Sequence, residues 1–165
     1  MLPRMTDEFT QALARAEGQP ETTFRALDAR AAETVGHRLF TLLRVDTAAG
    51  VVRRLYSNRP DEYPLSGTKP ILGNAWTAGV LERGETAVMN DAAEIAAVFG
   101  DHELIASLGC AACINVPAVV GGRTIGLVNC LHEAGHYDPA RVAASEALRL
   151  PGAAAFLLER AAAAD

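Results

Sequence analysis

Three groups of residues in this chain have the types and spacing to do chemistry. His132-Glu133-Ala134-Gly135-His136 spells His-Glu-x-x-His. Zinc hydrolysis with that pattern needs both imidazoles on one helical face, a turn apart, with the glutamate as base. Here the motif follows a strand, contains Gly135 and runs into the helix start Asp138-Pro139. That is loop context, so no metal is expected there. Cys110-Ala111-Ala112-Cys113 is a CxxC pair. A redox pair of this kind sits at a helix N-terminus, where the dipole stabilises the thiolate. This one enters a strand, where Cα atoms three residues apart are too distant for an easy disulfide. A four-ligand zinc site would need a second CxxC, which is lacking. The third group is Cys113, Asn115 and Asn129 on two neighbouring strands. Two asparagines beside a thiol on one sheet face have donors and acceptors to satisfy.

Other polar and aromatic residues cluster near them in the sequence. The segment from Tyr56 and Asn58 through Tyr63 to Lys69 is polar, aromatic and tipped with positive charge. It reads either as a solvated loop or as a lid presenting an amide and an ammonium to an anionic group. Trp76 suits a core or an aromatic pocket wall. His102 opens a helix behind Asp101 and is expected at the surface or at a pocket mouth. The candidate ligand site is therefore a floor of Cys113, Asn115 and Asn129. Tyr56 and Trp76 wall it, and Asn58, Lys69 and His102 stand at its mouth. No catalytic residue is assigned, and no particular cofactor is implied.

The elements that must position these residues are helices at both ends with strands between. Thr6 and Asp7 can cap a first helix that stops at Gly18. Pro20 suits the first turn of a second helix, whose stripe is Phe24, Leu27, Ala31 and Val35. Leu39 to Val45 and Val51 to Ser57 read as a hairpin around Asp46 to Gly50. Residues 58–73, with three prolines and two glycines, read as a long irregular loop. Asn74, then Asn90 or Asp91, then Asp101 are caps for short helices, with a short strand from Thr86 to Met89. Cys110 to Val120 and Arg123 to Leu131 are the strongest strands, joined at Gly121-Gly122. Asp138-Pro139 starts the last helix, which Pro151-Gly152 should kink or split. Its stripe of Leu148, Phe156 and Leu157 needs cover.

Register decides which side chains meet. A two-residue Gly121-Gly122 loop sets Asn129 beside Ile114. A three-residue loop, Val120-Gly121-Gly122 with Gly122 left-handed in a bulge, sets Asn129 beside Cys113. The second is expected, because the first buries an asparagine among aliphatics at about 1–3 kcal/mol if unpaired. It also leaves Ile114, Val116, Val128 and Cys130 as a clean apolar face for the terminal helices.

Bulk properties bound the rest. The 165 residues, half of them apolar and about a fifth charged, suit one globular domain over 1–165, with a helical N-terminus over 5–35 and a core over 36–163. The net charge of −5 disfavours nucleic acid and anionic membranes. Met1-Leu2-Pro3-Arg4 runs into Asp7 and Glu8 without an apolar stretch, so no signal peptide is expected. Three sparse cysteines fit reduced thiols in a cytoplasmic protein.

The last hairpin carries a resemblance. Leu108-Gly109-Cys110-Ala111-Ala112-Cys113-Ile114-Asn115-Val116-Pro117, then Gly121-Gly122-Arg123, then Thr124-Ile125-Gly126-Leu127-Val128-Asn129 resembles the GAF domain family, and the order of elements over about residues 20–160 is similar. The resemblance implies an α+β, profilin-like fold: an antiparallel sheet, terminal helices together on one face, and a ligand pocket under loops and short helices on the other. It implies a small-molecule-binding sensory role. GAF domains bind cyclic nucleotides, bilins, haem, amino acids and aromatic metabolites. One related subfamily, the free methionine sulfoxide reductases, performs cysteine chemistry, but the cysteines here fall at different spacings from the Val-Pro strand. A cysteine-dependent redox enzyme is the alternative reading. Apolar terminal helices also predict a homodimer through them.

Overall fold

The computed structural model describes residues 7–65 and 67–164. Residues 1–6, Thr6 among them, lie outside that range, so only Asp7 of the first expected cap is described. Its carboxylate accepts from Thr10 N and opens helix α1, Glu8–Leu13. Helix α2, Glu21–Thr34, follows directly after Pro20. Strands β1 (Leu39–Asp46) and β2 (Val51–Ser57) form the expected hairpin. Residues 58–73 are not wholly irregular, as expected from their prolines. Thr68–Pro70 is a short strand, β3, paired antiparallel with the outer side of β2. Pro70 ends that edge strand, where a missing N–H costs no ladder bond.

Asn74 caps helix α3, Ala75–Thr77, by accepting from Thr77 N. The helix runs on as a π-turn over Ala78–Glu82, which widens the backbone. Strand β4 (Ala87–Met89) leads to helix α4 (Ala92–Val98), capped by Asp91. Helix α5 spans His102–Ser107, but Asp101 makes no side-chain capping bond there. Its carboxylate is engaged elsewhere, as described below. Strands β5 (Ala112–Val120) and β6 (Arg123–His132) complete a six-stranded sheet in the order β3-β2-β1-β6-β5-β4. All its pairings are antiparallel. Asp138 caps helix α6, Pro139–Ser145. The break expected at Pro151-Gly152 comes earlier, as a 3-10 turn over Glu146–Leu148. Pro151 instead falls in the first turn of helix α7, Arg149–Ala164, where its missing N–H has no intrahelical partner to lose.

The helices at the two ends share one sheet face. Phe24, Leu27 and Ala31 of α2 and Phe156 of α7 pack with Phe40, Leu42, Ile114, Val116, Val128 and Cys130. Leu148 and Phe156 are fully buried, but Leu157 is half exposed, so the C-terminal stripe is narrower than expected. Gly126 shows how closely α7 lies: a Cβ there would meet the Phe156 ring at 2.4 Å. The opposite face is covered by the segment between β2 and β5. Leu39, Cys113 and Leu131 pack there with Tyr63, Ile95 and Ile105. Val45 and Leu127 pack with Val80 and Leu81.

Candidate functional site

A cavity of about 460 Å³ lies between the sheet and this second cover. Its floor comes from strands β1, β6 and β5, through Thr41, Asn129, Asn115 and Cys113. Apolar walls come from Leu43, Trp76, Leu81, Phe99 and Leu131, and Lys69 of β3 stands on the lining as an exposed cation. The expected residues Cys113, Asn115, Asn129, Trp76 and Lys69 are thus brought together.

The register that does this differs from the expected one in its cause. Val120 pairs with Arg123, so Gly121 and Gly122 alone make the turn, both at positive φ. The extra residue sits inside the strand instead. Ala118 pairs with Gly126 and Val119 with Thr124, which leaves Ile125 as a bulge. The bulge restores the parity that a longer loop would have supplied, and Asn129 comes directly opposite Asn115 rather than Cys113.

The floor is a closed hydrogen-bond chain. Trp76 Nε1 donates to Asn115 Oδ1 at 3.0 Å, and Asn115 Nδ2 donates to Asn129 Oδ1 at 2.7 Å. Asn129 Nδ2 donates to Thr41 Oγ1 at 3.2 Å, and Asn115 Nδ2 also approaches Cys113 Sγ at 3.4 Å. The two amides, nearly fully buried, are therefore paired with side chains without any ligand.

Three expected residues stand elsewhere. Tyr56 packs on the helix face, against Phe24 and Phe40, and its hydroxyl donates to Asp28 Oδ2 at 2.8 Å. The reason is a second bulge. Leu42 pairs with Tyr56 but Leu43 with Arg54, so Leu55 is inserted and the faces exchange. Asn58 is spent on backbone: its Oδ1 accepts from Phe40 N and its Nδ2 donates to Arg38 O. His102 begins α5 but is not among the cavity-lining residues; Asp101 just before it is.

Sequence reasoning passed over Arg54, and used Tyr63 and Asp101 for other roles. Arg54, opposite Leu43 on the turn side of the bulge, keeps the regular register and faces the cavity, with its side chain 9% exposed. Its Nη1 donates to Pro64 O at 2.5 Å, and its guanidinium lies 3.9 Å from the centre of the Tyr63 ring. Asp101 Oδ2 is 3.8 Å from Nη2 and accepts a short hydrogen bond from the Tyr63 hydroxyl. Burial and that bond push the Tyr63 phenol upward. Among the described residues, Arg54 Nε has no hydrogen-bond partner. A cation on the cavity parity of β2 was the available signal, since the register from the turn to Leu43↔Arg54 is regular.

The thiols are poorly suited to nucleophilic work. All three cysteines are free and buried. Burial pushes Cys113 up to about 12, and Cys110 and Cys130 upward as well. Cys130 faces the helices, so Cys113 and Cys130 lie on opposite sides of the sheet. At His132-Glu133-x-x-His136 the two rings stack at 3.6 Å and 4°. His136 Nε2 meets Val35 O at 2.8 Å, so it must carry a hydrogen, while His132 Nδ1 accepts from Glu133 N. Burial, then the neighbouring His136, lowers the His132 pKa. The candidate ligand atoms of His132, Glu133 and His136 lie within 4.8 Å of one another, but Glu133 is also paired with Arg38.

The sequence profile of the GAF domain family matches residues 19–155. The chain belongs to the GAF domain family. Among curated proteins, none matches the sequence. Solved structures with the same fold include the GAF domain of a phosphoenolpyruvate-protein phosphotransferase from Coxiella burnetii, 18% identical with a TM-score of 0.69, over 96% of this chain and 94% of that one. The GAF domain of the corresponding Acinetobacter protein is 12% identical with a TM-score of 0.66, over 98% and 100% of the chains. The GAF domain of a two-component sensor histidine kinase from Bacillus halodurans is 11% identical with a TM-score of 0.66, over 86% and 94%. GAF domains are in general sensory, small-molecule-binding units, and this one shares their open antiparallel sheet. Among the described residues, no helix is long and apolar enough to cross a membrane.

Proposed function

We propose that this GAF domain is a sensory module that takes a small molecule into the cavity between its sheet and the cover formed by α3, α4 and α5. The observation that carries this reading is the cavity itself. About 460 Å³ is within the range of small-molecule sites, and an interaction module without a ligand would have a shallow or collapsed one. Cys113, Asn115, Asn129, Trp76 and Lys69 are its proposed contacts from the sequence, joined by Arg54 and Thr41. Native mass spectrometry of freshly purified protein tests it, through a retained small molecule released on unfolding. A ligand at a hundred times its dissociation constant adds about 2.7 kcal/mol, which a thermal-shift screen detects. A protein that retains nothing and responds to no metabolite counts against the reading.

The reading includes a cytoplasmic location, supported by three unbridged thiols. It also includes a homodimer through the terminal helices, supported by the exposed Leu150 and Leu157 of α7. Sedimentation as a monomer at high micromolar concentration excludes the dimer.

A further inference from the structure

We propose that the cavity selects a small organic acid, whose carboxylate is gripped side-on by Nε and Nη2 of Arg54. The inference rests on the cavity being the ligand site. Arg54 is nine-tenths buried, and a buried guanidinium with an unpaired N–H is costly unless a partner arrives. Two other approaches to the group are taken. Nη1 is spent on Pro64 O, and the Tyr63 ring covers one face of the plane. Along the remaining edge, Nε is buried without a partner and Nη2 has only the distant Asp101; two parallel N–H donors there match the two oxygens of a carboxylate.

Asp101 is the native candidate for that edge, yet it stops short. Its Oδ2 stands 3.8 Å from Nη2, beyond hydrogen-bond reach, and the Tyr63 hydroxyl holds it. The charged lining residues are Arg54, Lys69 and Asp101, two positive against one negative, in a chain whose net charge is −5. The lining thus has room for one anionic charge. A phosphoryl group would ask for more donors than one unpaired edge and an exposed lysine supply. Trp76 and Phe99, in edge contact at 5.8 Å, supply an apolar wall for a hydrocarbon or aromatic body. With the asparagines paired among themselves, the strongest unsatisfied polar demand falls on the arginine.

The test uses the full chain and a panel of acids led by hexanoate, phenylacetate and indole-3-acetate, each beside its primary amide, with phenyl phosphate as a further arm. Binding is read by calorimetry and by the fluorescence of Trp76, the sole tryptophan. One or more acids should bind, with the matching amide weaker by roughly tenfold to a hundredfold, as for a lost charged hydrogen bond. Arg54→Met should lose that discrimination. Arg54→Lys should restore only part of it, since an ammonium cannot form the side-on pair. Independently of any variant, the Arg54 Nε–H resonance of the wild-type protein should move on adding the acid and stay in place on adding the amide. Amides that bind as well as acids, with both weakened by Trp76→Ala, overturn the carboxylate assignment and leave the cavity a ligand site. Phenyl phosphate binding more tightly than every acid overturns it likewise. If no probe binds and native mass spectrometry finds no retained molecule, both inferences fall.

Discussion

Replacing Asn115 by leucine tests the closed floor directly. Asn115 is 1% exposed and stands at the centre of the chain from Trp76 to Thr41. Asn115→Leu removes the acceptor at 3.0 Å from Trp76 Nε1 and the donor at 2.7 Å from Asn129 Oδ1. The contact to Cys113 Sγ is weak and adds little. Each stranded neutral group costs about 1–3 kcal/mol when buried, or about 2–6 kcal/mol for the pair. Trp76 and Asn129 both line the cavity, so water can reach them and the lower part of that range applies. The expected loss is about 2–3 kcal/mol, or roughly 4–12 °C in melting temperature for a chain of this size. Adding Asn129→Leu removes an already orphaned carbonyl, so the second change should cost less than it does alone. A double-mutant cycle should return a coupling of about 1 kcal/mol. Urea denaturation followed by circular dichroism on the four proteins gives the result. Additivity within about 0.3 kcal/mol, or an Asn115→Leu protein as stable as wild type, refutes the closed chain. A double variant that binds its retained molecule unchanged removes the two asparagines from the site.

Tyr56→Phe should cost about 1–2 kcal/mol through the lost bond to Asp28 and leave ligand affinity unchanged, because Tyr56 packs on the helix face. A shift in affinity with no loss of stability would return Tyr56 to the site. The folded protein holds its Cys113 proton to about 12, well above the ordinary thiol at 9.0, so between those values the native state binds more protons than the unfolded one and stability falls as pH rises. That group alone should cost about 1.4 kcal/mol by pH 10, absent in Cys113→Ala; an equal alkaline loss in that variant speaks against it. Iodoacetamide should accordingly react with Cys113 far more slowly in the native protein than in urea at pH 8, and equal rates would reopen a thiol-based activity. No zinc should survive dialysis at His132 and His136, because His136 Nε2 is engaged by Val35 O, His132 Nδ1 by Glu133 N and the Glu133 carboxylate by Arg38; stoichiometric metal lost on His136→Ala would overturn this.

Much of the fold was legible because its signals are local. Asp7, Asn74, Asp91 and Asp138 cap the helices they precede, since each cap needs only a side-chain acceptor three residues before an N–H. The hairpin at Gly121-Gly122 and the alternation in β5 and β6 were equally readable, but not the length of the turn, which is two residues where three were expected. From those the sequence by itself determined an antiparallel sheet flanked by a helical segment at each end of the chain. What only the tertiary structure decided was parity across irregularities. The bulge at Ile125 kept the asparagines together by a route no turn rule specifies. The bulge at Leu55 sent Tyr56 to the helices, off the face that Arg54 keeps. Bulges form where two strands and the layers packed on them must reconcile twist and register, and their partners lie far apart in the chain. The same holds for Asp101, which in sequence is a helix cap and in space is held by Tyr63, 38 residues away.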